Sequence, residues 1–344
     1  VLLHSPSPIT GISQRPEVRV WVDREAFPRI EKLLQRARHT VVIQMFIWKD
    51  DEIGRKIAAI LIQIADRGVK VDITKEAVGD LFELHNDFLT TRHAKETLWQ
   101  RFWSHPNIKI TYATNNDHAK VYLIDEKILL LTGMNIANEY HHELHDYLVE
   151  LRGGRFVEQY LTREDMPVTL GGNARLIMNT EERKGIRPVL MQLIEQAKYS
   201  IVVEHCYVSD PKVLDLLAEK SKNGVRVTII IPADQNHHYY ANMQSVYQLL
   251  REGDKKNVQV FLYPHLFHGK IILVDRSKAF VGSANLMKSS IDEMGEVNVL
   301  LEGRTEPAIQ KLRDVLREDI LISQPMTTLP RFPWVGRWLA WLKL

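Results

Sequence analysis

The chain has 344 residues, 45% hydrophobic and 26% charged, with a formal net charge of +2. That length accommodates about two domains, each able to bury a core, and the composition is that of a soluble globular protein. So small a net charge does not by itself mark a polyanion-binding protein. The single cysteine, Cys206, excludes an internal disulfide and fits a reducing compartment, and the lack of any run of 18 apolar residues excludes a membrane span within the sequence. The chain starts at Val1 rather than Met, which leaves room for an upstream targeting or anchoring segment.

In chain order, residues 30–48 (IEKLLQRARHTVVIQMFIW) read as an amphipathic helix, a basic link and a β-branched strand. A second helical stretch closes at Arg67-Gly68, the glycine serving as a helix C-cap, and a strand follows at residues 69–73. Residues 75–107 are less regular and carry Phe82, Phe88, Trp99, Phe102 and Trp103. Helices packed on a sheet are the plainer expectation for them, and a lid over an acyl chain the sharper one. Met166-Pro167 and Gly171-Gly172 then interrupt the pattern, and the layout starts again. Residues 190–208 (LMQLIEQAKYSIVVEHCYV) repeat the helix, link and strand; Asn223-Gly224 closes the next helix; a strand follows at 225–231, then a less regular stretch at 232–256. The spacing predicts an α/β fold of two pseudo-symmetric repeats, 1–168 and 169–328, each a mostly parallel mixed sheet covered by helices.

The same chemistry-bearing residues recur in both halves. The first contains His118-Ala-Lys120-Val-Tyr-Leu-Ile-Asp125 and the second His268-Gly-Lys270-Ile-Ile-Leu-Val-Asp275, both of the form His-x-Lys-x4-Asp. On a strand, His and Lys two apart face one side, while Asp125 and Asp275 fall where the strand turns back, bonded to local backbone. Ten residues beyond each Asp stands an asparagine, Asn135 or Asn285; eleven further on an acid, Asp146 or Glu296, opens an apolar strand. Taken singly, each is an ordinary surface or turn residue. The same set twice at matched spacing is not.

The second half fits His-x-Lys-x4-Asp-x6-Gly-Ser-x-Asn in full, ending in Gly282-Ser283-Ala284-Asn285. This resembles the phospholipase D superfamily over nearly the whole chain. With Thr-Gly-Met-Asn in the first copy, the tandem layout is most similar to bacterial cardiolipin synthases. Thr132 and Gly133 stand where Gly and Ser are expected, which removes one hydroxyl from the first loop. The resemblance implies one active site between the repeats and a two-step path: His118 attacks phosphorus and forms a phosphohistidine, while His268 protonates the leaving alcohol and then acts as base. Lys120, Lys270, Asn135, Asn285 and Ser283 would hold the phosphoryl oxygens. Asp146 and Glu296 would each accept a hydrogen bond from a histidine, and Asp125 and Asp275 would be structural. No cofactor is expected, because lysine takes the charge role that a metal plays elsewhere.

Gln44 and Glu204 occupy equivalent places in the early strands and are candidates for the pocket wall. His141, His142, His145, His237 and His238 lack a pairing with cysteine or carboxylates at ligand spacing, so they are assigned to loops without a metal. Residues 329–344 are aromatic and basic. As a helix they would align Trp334, Trp338 and Trp341, with Arg331, Arg337 and Lys343 nearby, as an interfacial anchor on anionic lipid. Together with the missing basic stripe, this favours a phospholipid substrate over nucleic acid and a peripheral place on a bacterial cytoplasmic membrane. The resemblance suggests transfer between phosphatidylglycerol molecules. The motifs alone also allow hydrolysis to phosphatidic acid and, less readily, a nuclease.

Overall fold

The computed structural model describes residues 17–83, 87–164, 168–169, 173–233 and 238–326. The aromatic-basic segment at 329–344 and most of the interval expected to divide the repeats lie outside the described residues. The first half runs β1 (Glu17–Val22), α1 (Ala26–Gln35), β2 (Thr40–Met45), α2 (Glu52–Asp66), β3 (Lys70–Glu76), α3 (Thr97–Ser104), β4 (Ile108–Ala113), β5 (Lys120–Ile124), β6 (Ile128–Thr132), α4 (Asn138–His142), β7 (Tyr147–Arg152) and α5 (Gly154–Thr162). The second runs β8 (Val168–Thr169), β9 (Asn173–Asn179), α6 (Ile186–Glu195), β10 (Ser200–His205), α7 (Pro211–Lys222), β11 (Arg226–Pro232), α8 (Tyr239–Glu252), β12 (Val258–Tyr263), β13 (Lys270–Val274), β14 (Lys278–Gly282), β15 (Glu296–Glu302), α9 (Pro307–Ile322) and β16 (Gln324–Pro325).

Local chemistry accounts for the helix ends. Asp51 caps α2 by accepting from the Gly54 N–H at 2.9 Å, and Asp210 caps α7 by accepting from Val213 at 3.0 Å, with Pro211 in the first turn. Gly68 and Gly224 follow α2 and α7 at φ +93° and +86°, a conformation that suits glycine.

The first sheet has the order β1-β7-β6-β5-β2-β3-β4, and the second contains the same series, β9-β15-β14-β13-β10-β11-β12, extended by β8 and β16. The expected mixed, helix-covered sheets are present in both halves. Their balance of directions differs from expectation. Among the strands of the described residues, only β2-β3-β4 and β10-β11-β12 pair in parallel, and the other strand pairs are antiparallel. The reason is that each His-x-Lys strand returns through a tight turn and a further antiparallel strand, and tight turns make antiparallel neighbours.

Three cores form. Two lie between a sheet and its own helices, and include Phe27, Ile57 and Tyr122 in the first half and Leu193, Leu217 and Ile272 in the second. The third lies between the two sheets. There Val121, Leu123, Val149 and Leu151 meet Ile271, Leu273, Val299 and Leu301, with Phe156 of α5 and Leu312 of α9. Strands packed on both faces have few exposed positions, which is why all of β5 and β13 is buried.

Candidate active site

His118 and His268 stand two residues ahead of β5 and β13, in extended segments rather than on the strands proper. Each segment is stapled to the other half. The His118 N–H donates to the Gly295 carbonyl at 2.8 Å, and the His268 N–H to the His145 carbonyl at 2.8 Å. Gly295 and His145 immediately precede Glu296 and Asp146, so the staples carry each acid to the opposite histidine. His118 Nδ1 lies 3.0 Å from Glu296 Oε1, and His268 Nδ1 lies 2.9 Å from Asp146 Oδ2. The pairs therefore cross between the halves.

Lys120 and Lys270, the first residues of β5 and β13, are buried beside them. Lys120 Nζ donates to the His118 carbonyl at 2.6 Å, and Lys270 Nζ lies 2.9 Å from His268 Nδ1 and 3.1 Å from Nε2. Burial, with Lys120 adding to it, holds the His118 imidazole below its ordinary value against the pull of Glu296. Burial and then Lys270 push His268 down to about 3, with Asp146 opposing. Burial likewise pushes the Lys120 ammonium down to about 7; Glu296 resists and Lys270 adds to the fall. Burial would raise the Glu296 carboxyl, but His118, Lys120 and the Ser283 hydroxyl outweigh it and hold it at about 2. Both half-sites thus share one field: Lys270 acts on His118, and Lys120 on His268.

Asn135 and Asn285 sit in the loops after β6 and β14. Asn135 Oδ1 accepts from the Ile47 N–H at 2.9 Å, and Asn285 Oδ1 from the Cys206 thiol at 3.1 Å. Each amide oxygen is engaged, so what remains to offer an anion is the NH2 donor.

Asp125 and Asp275 take positive φ, 52° and 51°, at the hairpin turns. Contrary to the expectation from sequence, their carboxylates do not bond the backbone of the turn itself. They reach back to the links before β2 and β10: Asp125 accepts from the N–H groups of Arg38, His39 and Thr40 at 2.7–3.1 Å, Asp275 from those of Lys198, Tyr199 and Ser200 at 2.7–3.0 Å. The antiparallel pairing of β5 with β2, and of β13 with β10, puts turn and link side by side. Both Asp residues lock the frame.

The family pattern described as "Cardiolipin synthase, PLD-like domain" matches residues 30–164 and 190–320. The chain belongs to this phospholipase D-like family. It is an enzyme of the phospholipase D superfamily. Among its relatives, Cardiolipin synthase B of Escherichia coli K12 is 26% identical, aligned over 90% of this chain and 82% of the relative. Major cardiolipin synthase ClsA of Bacillus subtilis 168 is also 26% identical, over 88% and 68%. The crystal structure of a phosphatidylserine synthase from Haemophilus influenzae Rd KW20 superposes with a TM-score of 0.78 at 14% identity, covering 96% of this chain and 94% of that one, a likeness of fold.

Against the phospholipase D pattern, the Thr132-Gly133 departure has a steric cause. A Cβ on Gly133 would lie 2.5 Å from Asp146 Oδ2, the oxygen that meets His268. At the matching place in the second half, the Ser283 hydroxyl donates to Glu296 Oε2 and accepts from the Val297 N–H at 3.0 Å. That commitment corrects the expectation that Ser283 binds phosphate: its hydroxyl holds Glu296, and Ser290 holds the other oxygen. Gly133→Ser, which restores the family consensus, is therefore expected to displace Asp146 and lower turnover at least about tenfold, as loss of an orienting contact does. Steady-state rates of this variant against wild type check it.

Gln44 and Glu204 do not line this site. They pair with Val121 and Ile271, which face the core between the sheets, whereas Lys120 and Lys270 have the opposite strand parity. Gln44 accepts from the Tyr160 hydroxyl at 2.7 Å, and Glu204 from that of Tyr147. The residues that do crowd the imidazoles were missed: Phe46, with its ring 4.8 Å from His118, and Tyr140, 5.2 Å from His268. Phe46 directly follows β2 at the C-terminal end of the parallel strands, where α/β sheets place ligands, and that signal was available.

The aromatic stretch divides. Phe88, Trp99 and Phe102 are fully buried; Phe88 and Phe102 pack against Trp48, and Trp99 against Phe88, as the plainer expectation had it. Phe82 is 58% exposed and its ring lies 5.9 Å from Phe46. Of the histidines assigned to loops, His141 and His142 end α4 and His238 precedes α8; His237 lies outside the described residues. His145 is buried among carboxylates contributed by distant parts of the chain. Among the described residues, no helix is long and apolar enough to cross a membrane.

Proposed function

We propose that this enzyme is a phosphatidyltransferase of the cardiolipin synthase type: it moves a phosphatidyl group from one phosphatidylglycerol to a hydroxyl of another through a phosphohistidine and releases glycerol. The reading rests above all on the two crossed histidine–carboxylate pairs flanked by buried lysines. It draws further support from the names of the relatives above. Each repeat, 1–168 and 169–328, supplies one half-site. Each carboxylate occupies an Nδ1 and so presents the matching Nε2 to substrate. The phosphodiester anion settles against Lys120 and Lys270, with the amides of Asn135 and Asn285 as further donors. By offsetting the lysines' charge it also raises the affinity of both imidazoles for a proton, so that His268 becomes an acid once substrate is bound. His118 Nε2 attacks phosphorus, the phosphorus–oxygen bond to glycerol breaks, and the departing oxygen takes the His268 proton. The incoming hydroxyl then gives its proton to His268 as its oxygen attacks phosphorus, and the phosphorus–nitrogen bond breaks to restore His118.

A lipid fits the surface beside the site. Leu81, 77% exposed, and Phe82 form an apolar lip, and the ring contacts from Phe82 through Phe46 to His118 continue it inward. Such a lip suits peripheral contact with a bacterial membrane surface. Leu81→Asp with Phe82→Asp is expected to lower turnover of vesicle-borne substrate about tenfold, equivalent to losing about 1.4 kcal/mol of interfacial burial, while leaving a soluble diester unaffected. Equal losses on both substrates would refute the lip.

The function itself is tested by incubating the protein with phosphatidylglycerol vesicles. Diphosphatidylglycerol and glycerol are the expected products. Phosphatidic acid alone would make it a hydrolase, and cleavage of single-stranded DNA without lipid turnover a nuclease. The free-enzyme profile of kcat/KM carries a further expectation. Since burial lowers Lys120 to about 7, its positive charge is present below that pH and lost above it, so kcat/KM should fall on the alkaline side. It should fall again in acid as the coupled imidazoles take up a proton, with His118 held below its ordinary value. A profile flat from about pH 6 to about pH 9 would contradict the role given to Lys120.

A further inference from the structure

At the seam between the halves lies a second polar cluster that the reaction does not use. His145 Nε2 lies 3.3 Å from Glu204 Oε1 and 3.5 Å from Asp319 Oδ2, and donor atoms of all three residues lie within 4.8 Å of one another. They come from the segment before β7, from β10 and from α9, and all three are buried. Among the described residues, Glu204 Oε2 and Asp319 Oδ2 accept no hydrogen bond. Among the described residues neither carboxylate forms an ion pair with a lysine or arginine; His145 is their shared partner. Two buried carboxylates around one imidazole call for more positive charge than the side chains provide.

The spacing suits a metal ion. Around a tetrahedral cation with ligands at about 2.0–2.1 Å, donor-to-donor edges are about 3.3–3.4 Å. The other ring nitrogen, His145 Nδ1, lies 2.7 Å from Asp23 Oδ1, the carboxylate–histidine arrangement that orients a metal-bound imidazole. The Tyr147 hydroxyl, 3.2 Å from His145 Nε2, offers a neighbouring fourth oxygen.

We propose that His145, Glu204 and Asp319 bind one divalent transition cation of the Zn2+ type, with Asp23 as the outer partner of the imidazole. The ion ties β10 and α9 of the second half to the first-half segment that carries Asp146, the residue after His145. It also steadies the His145 carbonyl that accepts from the His268 N–H. Its role is to clamp the seam on which one crossed pair depends, whatever lipid or other diester the enzyme turns over.

Elemental analysis of the purified protein after dialysis against metal-free buffer is the test. About one metal ion per chain is expected. Chelator treatment should lower Tm, and added Zn2+ should restore it. Co2+ in its place should give the visible absorption of a tetrahedral site. Glu204→Gln and Asp319→Asn should lose the ion, while His142→Ala, at the end of α4, should keep it. A metal-free wild-type chain whose Tm is unmoved by Zn2+ or Co2+ would overturn the proposal and assign the balancing charge to protons. Full retention of metal in both carboxamide variants would overturn it equally. Should either variant fail to fold, the Zn2+ and Co2+ titrations of stripped wild-type protein decide alone.

Discussion

Replacing His118 or His268 by alanine is expected to lower turnover by about 10²–10⁴-fold or more, and the two variants should fail at different steps. Without His118 no covalent phosphoenzyme forms, however good the leaving group. Without His268 the first step lacks only its proton donor, and a p-nitrophenyl diester needs none because p-nitrophenolate departs unassisted. The His268→Ala chain should then release a burst of p-nitrophenolate, about one per active site, and stall for want of a base. Stopped-flow absorbance with acid-quench recovery of histidine-bound phosphorus separates the two. A burst in His118→Ala and none in His268→Ala would exchange the roles. Near-normal turnover by either variant would end the two-histidine mechanism. Because the imidazoles share the field of both lysines, their pH dependence belongs to the pair and not to either ring.

Glu296→Gln and Asp146→Asn are expected to cost roughly 10²–10⁴-fold in turnover, the scale seen when a carboxylate that orients a catalytic histidine becomes an amide. The more telling readout is which ring responds. Glu296 meets His118 at 3.0 Å, and Asp146 meets His268 at 2.9 Å. In 15N-labelled protein, Glu296→Gln should shift the ring nitrogens of His118, in the first half, and Asp146→Asn those of His268, in the second. A merely structural acid would disturb its own repeat instead. If each substitution moved the histidine of its own half and spared the other, the crossed assignment would be wrong.

Much of the frame was legible because it is local. A strand, a tight turn at Asp125 or Asp275 and a returning strand can be read from alternation and turn chemistry, and Gly68 and Gly224 stop their helices where the pattern stops. The repeat itself made His118, Lys120, His268 and Lys270 stand out, since one spacing occurred twice. The mostly parallel expectation failed because helix-rich spacing speaks for β2-β3-β4 and β10-β11-β12 and is silent about how each hairpin joins them. Gln44 and Glu204 were credited to the pocket on position, although strand parity turns them toward the other sheet.

By itself, the sequence determined which side chains would do the chemistry: imidazole, ammonium, amide and carboxylate at spacings that hairpins impose, in two copies. Only the tertiary structure decided who partners whom. His118 and Glu296 are 178 positions apart, and His268 and Asp146 are 122 apart; nothing in either neighbourhood names the other. The same holds for Gly133, whose missing side chain makes room for Asp146, and for His145, whose carboxylates come from β10 and α9. The physical reason is that periodicity and turns act over a few residues, whereas crossed hydrogen bonds arise only when two sheets pack together and the segments leading into their strands are stapled to one another.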